Sequence, residues 1–270
     1  MALQKIEKGL VVLLDALGVS RFSIGECADF VRKRDEITDG ALKSYLLDDN
    51  CELFKNSLRP TVSAQFGDTL LYAWNFDDKS DVAKSVFIDT LMMWLADLLS
   101  SGIEQQVYYR GAISFGQLLI ADNNTVLGPA VTDAAAWYEQ ADWFGAVATP
   151  LCGYTFDYFK LVREDISPGD YGKELSKISH DTLNISMAAE IWAKALVRYK
   201  VPLHEGEKEM WAVSWPYAKH RNEKNKIGNT KKALFAAISV LPKSLPRGVE
   251  RKYENSIKFF DHCISEAINQ

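Results

Sequence analysis

The chain has 270 residues, 47% hydrophobic and 25% charged, and Lys+Arg 31 against Asp+Glu 36 leaves a net charge of −5. That length fits one large domain or two small ones around a sizeable core, and the mild acidity argues against a nucleic-acid binder, a polybasic membrane protein or a disordered chain. Cys27, Cys51, Cys152 and Cys263 stand far apart with no CxxC pair, which disfavours a disulfide framework or zinc site and fits a reducing cytoplasm.

The opening MALQKIEKGL lacks the long apolar run and small-residue cleavage site of a secretory leader. Leu10 to Leu14 is continuously apolar, the pattern of a strand buried on both faces. It ends on Asp15, Gly18 permits a turn, and Ser20 or Ser23 can cap a helix running through Phe30. Thr61 to Phe66 and Leu70 to Trp74 read as strands joined by a tight hairpin at Gly67-Asp68. Ala83, Phe87, Leu91, Trp94 and Leu98 recur at steps of four and three, an amphipathic helix. Lys84, Asp89 and Asp97 interrupt the Val82 to Leu99 stretch and exclude a membrane span.

Gln106 to Phe115 is a further strand, with Gln117 to Ile120 pairing back after Gly116 and Asp122-Asn123-Asn124 as a turn. A helix follows Gly128-Pro129 to about Asp142, then a short strand at Ala146 to Ala148. This order is a βαββαβ plan, an α/β (α+β) ferredoxin-like domain whose mixed or antiparallel sheet carries helices on one face. Beyond 150, Asp165 to Gly172 reads as a loop, Asp181 to Val197 as a helix and Lys208 to Trp215 as a strand. Tyr253, Ile257, Phe260, Ile264 and Ile268 mark a closing amphipathic helix. With no repeat or linker, residues 1–270 are expected to form a single domain, 151–270 being its C-terminal helical elaboration.

Several chemistries drop out. Gly111-Ala-Ile-Ser-Phe-Gly116 is one residue too long for a GxSxG elbow. There is no GxGxxG after a strand and no GxxxxGK[ST], and His180, His204, His220 and His262 have no ligand spacing. What remains is Asp15 at a strand end and Asp68 at a hairpin tip. If those strands are neighbours, two carboxylates and a backbone carbonyl make a hard-oxygen site for Mg²⁺ or Mn²⁺ holding a triphosphate. On spacing alone, a helix cap and a turn residue account for the pair equally well.

Four segments then occur in fixed order: Leu13-Leu-Asp-Ala-Leu-Gly-Val19, Phe66-Gly-Asp-Thr-Leu70, Tyr109-Arg-Gly-Ala-Ile-Ser-Phe-Gly116 and Leu127-Gly-Pro-Ala-Val-Thr-Asp-Ala-Ala135. Over residues 8–150 this resembles the catalytic domain of class III nucleotide cyclases. Asp15 and Gly18 match the first motif, Gly67 and Asp68 the second, Arg110, Ile113 and Gly116 the third, and Gly128, Val131 and Ala134 the fourth. The family's transition-state Asn and Arg fall on Thr132 and Ala136, and its two base-selecting positions on Ala64 and Thr125. With Trp137-Tyr-Glu-Gln-Ala-Asp-Trp143, this combination looks like the pyrimidine cyclases of the bacterial Pycsar antiphage system.

The resemblance implies two Mn²⁺ or Mg²⁺ ions held by Asp15, Asp68 and the carbonyl of Ala16, and a nucleoside triphosphate cyclised with release of pyrophosphate. It further implies a cytoplasmic head-to-tail homodimer with composite sites, whose product acts on an effector, with no nucleic-acid or membrane partner. Arg110, Thr125 and Thr132 are its further substrate-binding positions. Trp137, Trp143 and Phe144 can anchor the dimer or belong to the core. Ala64 cannot hydrogen-bond a base and Thr125 offers one short hydroxyl, so the expected substrate is a pyrimidine triphosphate; only the resemblance puts UTP before CTP. Gln65 is the nearest group able to grip a base edge, although alternation can turn it outward, and Phe66 and Tyr109 can narrow a pocket around one ring. Lys219 to Lys232 carries six Lys/Arg and one Glu, either a countercharge for phosphates or a solvated loop. Two alternatives stay open: a degenerate cyclase fold that only binds a nucleotide or partner, and an adenylate or guanylate cyclase.

Overall fold

The apolar run at residues 10–14 seeds β1 (Leu3–Ala16), a strand with partners along both edges. The computed structural model describes residues 3–19, 22–43, 59–121, 125–178, 195–216, 231–232, 235–236 and 249–269. Ser20, Cys51, the turn at 122–124, His180, His220, positions 181–194 of the expected helix and positions 219–230 of the basic stretch lie outside them.

β1 pairs antiparallel with β3 (Thr69–Asn75) on one side and β4 (Tyr109–Ala121) on the other. β2 (Val62–Phe66) pairs with β3 across the Gly67-Asp68 hairpin. Gly67 has φ +61°, the conformation a two-residue type II′ turn asks of its first central position. The order β2-β3-β1-β4 is the ferredoxin-like arrangement expected from the element order, and the sheet continues through β6 (Gly145–Ala148), β8 (Gly206–Val213) and β7 (Leu196–Leu203). Only the β4–β6 pairing is parallel among the described strands.

α1 (Ile24–Lys43) starts at a capping box, in which the Ser23 N–H and hydroxyl both donate to Glu26 Oε2 at 2.7 Å. α2 (Asp81–Glu104) is capped by Ser80 Oγ, which accepts from Ala83 N. By length and composition α2 could cross a membrane, but 89% of its most apolar window is buried inside the fold. It is buried nearly all round because it touches α1, α4 (Pro150–Asp165) and α5 (Pro168–Ile178) and packs on the Leu10, Val12, Leu14 face of β1.

Three expectations are corrected. β4 does not turn back at Gly116: it continues as one 13-residue strand against β1, with Gly116 opposite Gly9 and a register shift between Gly9 and Ile6, and β5 (Thr125–Leu127) makes the return. A Cβ on Gly116 would sit 3.8 Å from the Ala130 Cβ, so this glycine lies beneath a helix and is not a turn. That helix, α3 (Pro129–Trp137), covers the opposite face of the sheet, so helices are not confined to one side. Its Ala130 and Ala134 pack on Val11, Leu13, Leu71 and Ala112. It ends at Trp137, short of Asp142, because the backbone of Ala141 and Asp142 is engaged by Leu203 and Pro202 of β7.

The C-terminal part is also more than helical. β7 and β8 form a hairpin that extends the same sheet, where the expectation held only the second strand. The Asp165 to Gly172 loop shrinks to Ile166-Ser167 between α4 and α5. The closing helix is present as α6 (Val249–Asn269), with Tyr253, Phe259, Phe260 and Cys263 in the core.

Candidate active site

The register places one residue from each of four neighbouring strands in a row: Phe66, Thr69, Asp15 and Arg110. Strand alternation turns all four toward the α3 side, the side to which Leu13, Ala64 and Ala112 also point. Asp68 stands beside the row in the hairpin, and its carbonyl accepts from Ala16 N at 3.1 Å. Both aspartates therefore converge at one end of the sheet because the hairpin is tied to the end of β1.

Asp15 is 9% exposed, and its two oxygens are used unequally. On the β4 side, Arg110 Nε and Nη2 both donate to Oδ2, at 3.2 and 3.1 Å. On the β3 side, Oδ1 accepts, among the described residues, a single long bond of 3.3 Å from the Thr69 hydroxyl. The open oxygen is therefore the one on the hairpin side. Burial raises the Asp15 pKa above the carboxylate norm; the Arg110 hydrogen bond and charge pull it down, and the charge of Asp68 pushes it up.

Arg110 is itself held from below. Its Nη2 donates to Glu139 Oε1 at 3.0 Å, and its guanidinium carbon lies 5.8 Å from the ring centre of Tyr138. Burial, with the hydrogen bond and charge of Glu139 and the charge of Asp15, raises the Tyr138 hydroxyl pKa. Sequence reasoning missed Glu139 and Thr69. Thr69 directly follows the hairpin Asp68 and was within reach of the strand register; Glu139 carries no local signal.

Two carboxylates fit a hard divalent cation better than a borderline metal, and no group of three or more His, Cys, Asp or Glu gathers among the described residues. That donor set suits an ion that takes one or two protein carboxylates and completes its shell with water and substrate phosphate. Oδ1 of Asp15 is the geometric opening for it.

The other predicted positions divide. Phe66 joins the row and is 68% exposed. Gln65 is exposed on the opposite face, one residue out of phase with Ala64. Tyr109 is corrected: alternation sends its ring into the core beside Gly102, it is 2% exposed, and it does not line this edge. Thr132 is exposed on α3 and its hydroxyl donates to the Gly128 carbonyl at 3.2 Å. Thr125 pairs with Ala121, opposite Leu3, at the far end of β1 from Asp15. Trp143 and Phe144 are core residues, stacked on Tyr199 and Tyr108.

No family model matches the chain, and no curated protein does. Among solved structures it is similar to the guanylyl cyclase domain of the RhoGC fusion protein from the aquatic fungus Blastocladiella emersonii, with TM-score 0.45 and 12% identity over 78% of this chain and 96% of that one. It is likewise similar to the catalytic core of a rhodopsin-guanylyl cyclase with converted specificity in complex with ATPαS (TM-score 0.43, 12% identity, 78% and 98% covered). A third is the adenylyl cyclase CyaB from P. aeruginosa, with TM-score 0.40 and 11% identity over 79% and 96%.

Proposed function

We propose that this chain is a nucleotidyl cyclase that closes the ribose 3′-hydroxyl of a pyrimidine triphosphate, UTP before CTP, onto its α-phosphate and releases pyrophosphate. The observation that carries the reading is the convergence of Asp15, Asp68 and Arg110 at one sheet end, in the order the sequence motifs require. Asp15 through Oδ1, Asp68 through its carboxylate and Ala16 through its carbonyl would hold two Mg²⁺ or Mn²⁺ ions. When bound, such ions lower the pKa of a hydroxyl and neutralise phosphate charge.

The chain's own groups do the rest. Thr69 and Arg110 fix the rotation of the Asp15 carboxylate, and Arg110 is the guanidinium nearest to arriving phosphate oxygens. Phe66 offers an exposed ring against which a base can lie. Ala64, two residues before it on the same face, places no charge where a purine edge would be sorted, and this supports a pyrimidine. Because Gln65 faces the other way, hydrogen bonds to the base come from a second copy of the chain in a head-to-tail homodimer, with Thr125 as the available hydroxyl. The product would serve as a cytoplasmic second messenger for an effector in antiphage defence.

The test supplies ATP, GTP, CTP and UTP in equal amounts with Mn²⁺ and identifies cyclic products by mass. Mainly cyclic UMP is expected; mainly cyclic AMP or GMP would overturn the pyrimidine assignment, and no cyclic product at all the cyclase reading. Asp68→Asn should cut turnover at least about 100-fold at an unchanged melting temperature, since Asn suits the same turn. Full activity in that variant would remove Asp68 from the site.

A further inference from the structure

The segment that follows Glu139 is joined to two elements, β7 and α6, that none of the four motifs describes. It follows α3 in a turn whose Gln140 carbonyl accepts from His204 N at 3.0 Å, and Asp142 N donates to the Pro202 carbonyl at 2.8 Å. The Asp142 side chain is 2% exposed and accepts from Lys252 Nζ at 2.7 Å and from Arg251 Nε. Its carbonyl accepts from Asn255 Nδ2 at 2.9 Å, and Phe144 N donates to Ser256 Oγ at 2.8 Å. Residues 138–144 are thus clamped between the end of β7 and the first turns of α6. From the turn, Glu139 reaches Arg110, and Arg110 reaches Asp15, through the same nitrogen, Nη2.

We infer that Glu139 is a positioning residue for the carboxylate edge: anchored by the β7–α6 clamp, it holds Arg110 on the Oδ2 side of Asp15 and leaves Oδ1 open toward Asp68. This rests on the cyclase reading and deepens it, because it gives the C-terminal third of the chain a part in the site. A guanidinium with one carboxylate partner can rotate about its side chain; with a second partner on Nη2, and a ring beneath it, one orientation is selected. Glu139 also adds an anion beside Asp15 and offsets the charge of Arg110. Its removal therefore lowers cation affinity by both routes, lost order and lost negative charge.

The experiment measures Mn²⁺ binding without nucleotide, from the free-Mn²⁺ electron paramagnetic resonance signal, and separately kcat and KM for the preferred triphosphate. The proteins are the wild type, Asp15→Asn, Glu139→Gln and Glu139→Ala, each with its melting temperature. Glu139→Ala should weaken Mn²⁺ binding and lower kcat by about 10–100-fold, with Glu139→Gln between it and the wild type, because the amide oxygen still accepts from Nη2 but carries no charge. Melting temperatures should stay within about 2 °C, as expected for a half-exposed ion pair. Wild-type Mn²⁺ affinity and kcat in Glu139→Ala would overturn the inference and leave the cyclase reading intact. Absence of Mn²⁺ binding in the wild type, or binding undiminished in Asp15→Asn, would overturn both.

Discussion

Asp89 lies in the N-terminal half of α2 with Arg163 Nη1 at 2.7 Å from Oδ1 and the Tyr171 hydroxyl at 3.4 Å from Oδ2. Burial outweighs both partners and raises its pKa to about 6. A carboxyl raised in the fold holds its proton more tightly folded than unfolded, so between the ordinary value near 3.8 and about 6 the native state binds more protons. Stability from this group is full below the lower value and is lost as pH rises through the upper one. Relative to Asp89→Asn, which cannot ionise, the wild type should lose about 2–3 kcal/mol between pH 4 and pH 7, measured by urea unfolding at each pH. A difference that stays flat with pH would mean that Arg163 fully compensates the buried charge. Asp15 and Asp68 were legible in the sequence because one ends an apolar strand and the other sits in a Gly-Asp hairpin turn. Asp89 was visible only as an interruption of an apolar stretch, and Glu139 not at all, since their partners lie 74 and 29 residues away.

Where local chemistry alone starts an element, the sequence was readable: the Ser23–Glu26 box opens α1 and the Gly67-Asp68 pair closes the hairpin. Ser167-Pro-Gly-Asp170 shows how the same chemistry can be misread. Proline and glycine together suggest a loop, yet Pro168 takes the first helical position, where its missing N–H costs nothing. Ser167 Oγ donates to Asp170 Oδ2 at 2.8 Å and accepts from Asp170 N at 3.1 Å, the reciprocal cap of α5. Ser167→Ala should therefore cost about 1 kcal/mol, read as a lower urea midpoint at unchanged slope; no change would show that packing of Tyr171 alone starts α5. The continuity of β4 past Gly116 was not legible, because it depends on a strand supplied from elsewhere, β1; β7 was missed because the expected helix ran to Val197, although β8 pairs with it after a two-residue turn.

Across the whole molecule, the two ends of the sheet carry different halves of the expected substrate site. Along β4, Arg110 at the Asp15 edge and Ala121 beside Thr125 are 11 positions apart, roughly 35 Å of extended strand. One copy cannot bring Thr125 to a nucleotide held at Asp15. The proposed head-to-tail pair would, each copy lending its distal end to the other. Light scattering at assay concentration should accordingly report twice the chain mass, and a fully active monomer would rule the composite arrangement out. The βαββαβ order behind this geometry was legible from strand and helix periods alone. The attachment of the β7–β8 hairpin beyond β6 was not, because a single pairing, Val147 with Ala212, makes that join.

β1 is synthesised before either strand that covers its edges. Its partner β3 begins 53 residues after β1 ends, and β4 begins 93 residues after it. At about 5–20 residues per second, translation takes roughly 5–20 s to deliver β4. For that time the apolar run Leu10–Leu14 of β1 waits with an open edge, and its pairings are long-range ones that form slowly. Folding therefore competes with self-association through that edge, and slowing synthesis without protecting the nascent strand would lengthen the exposure.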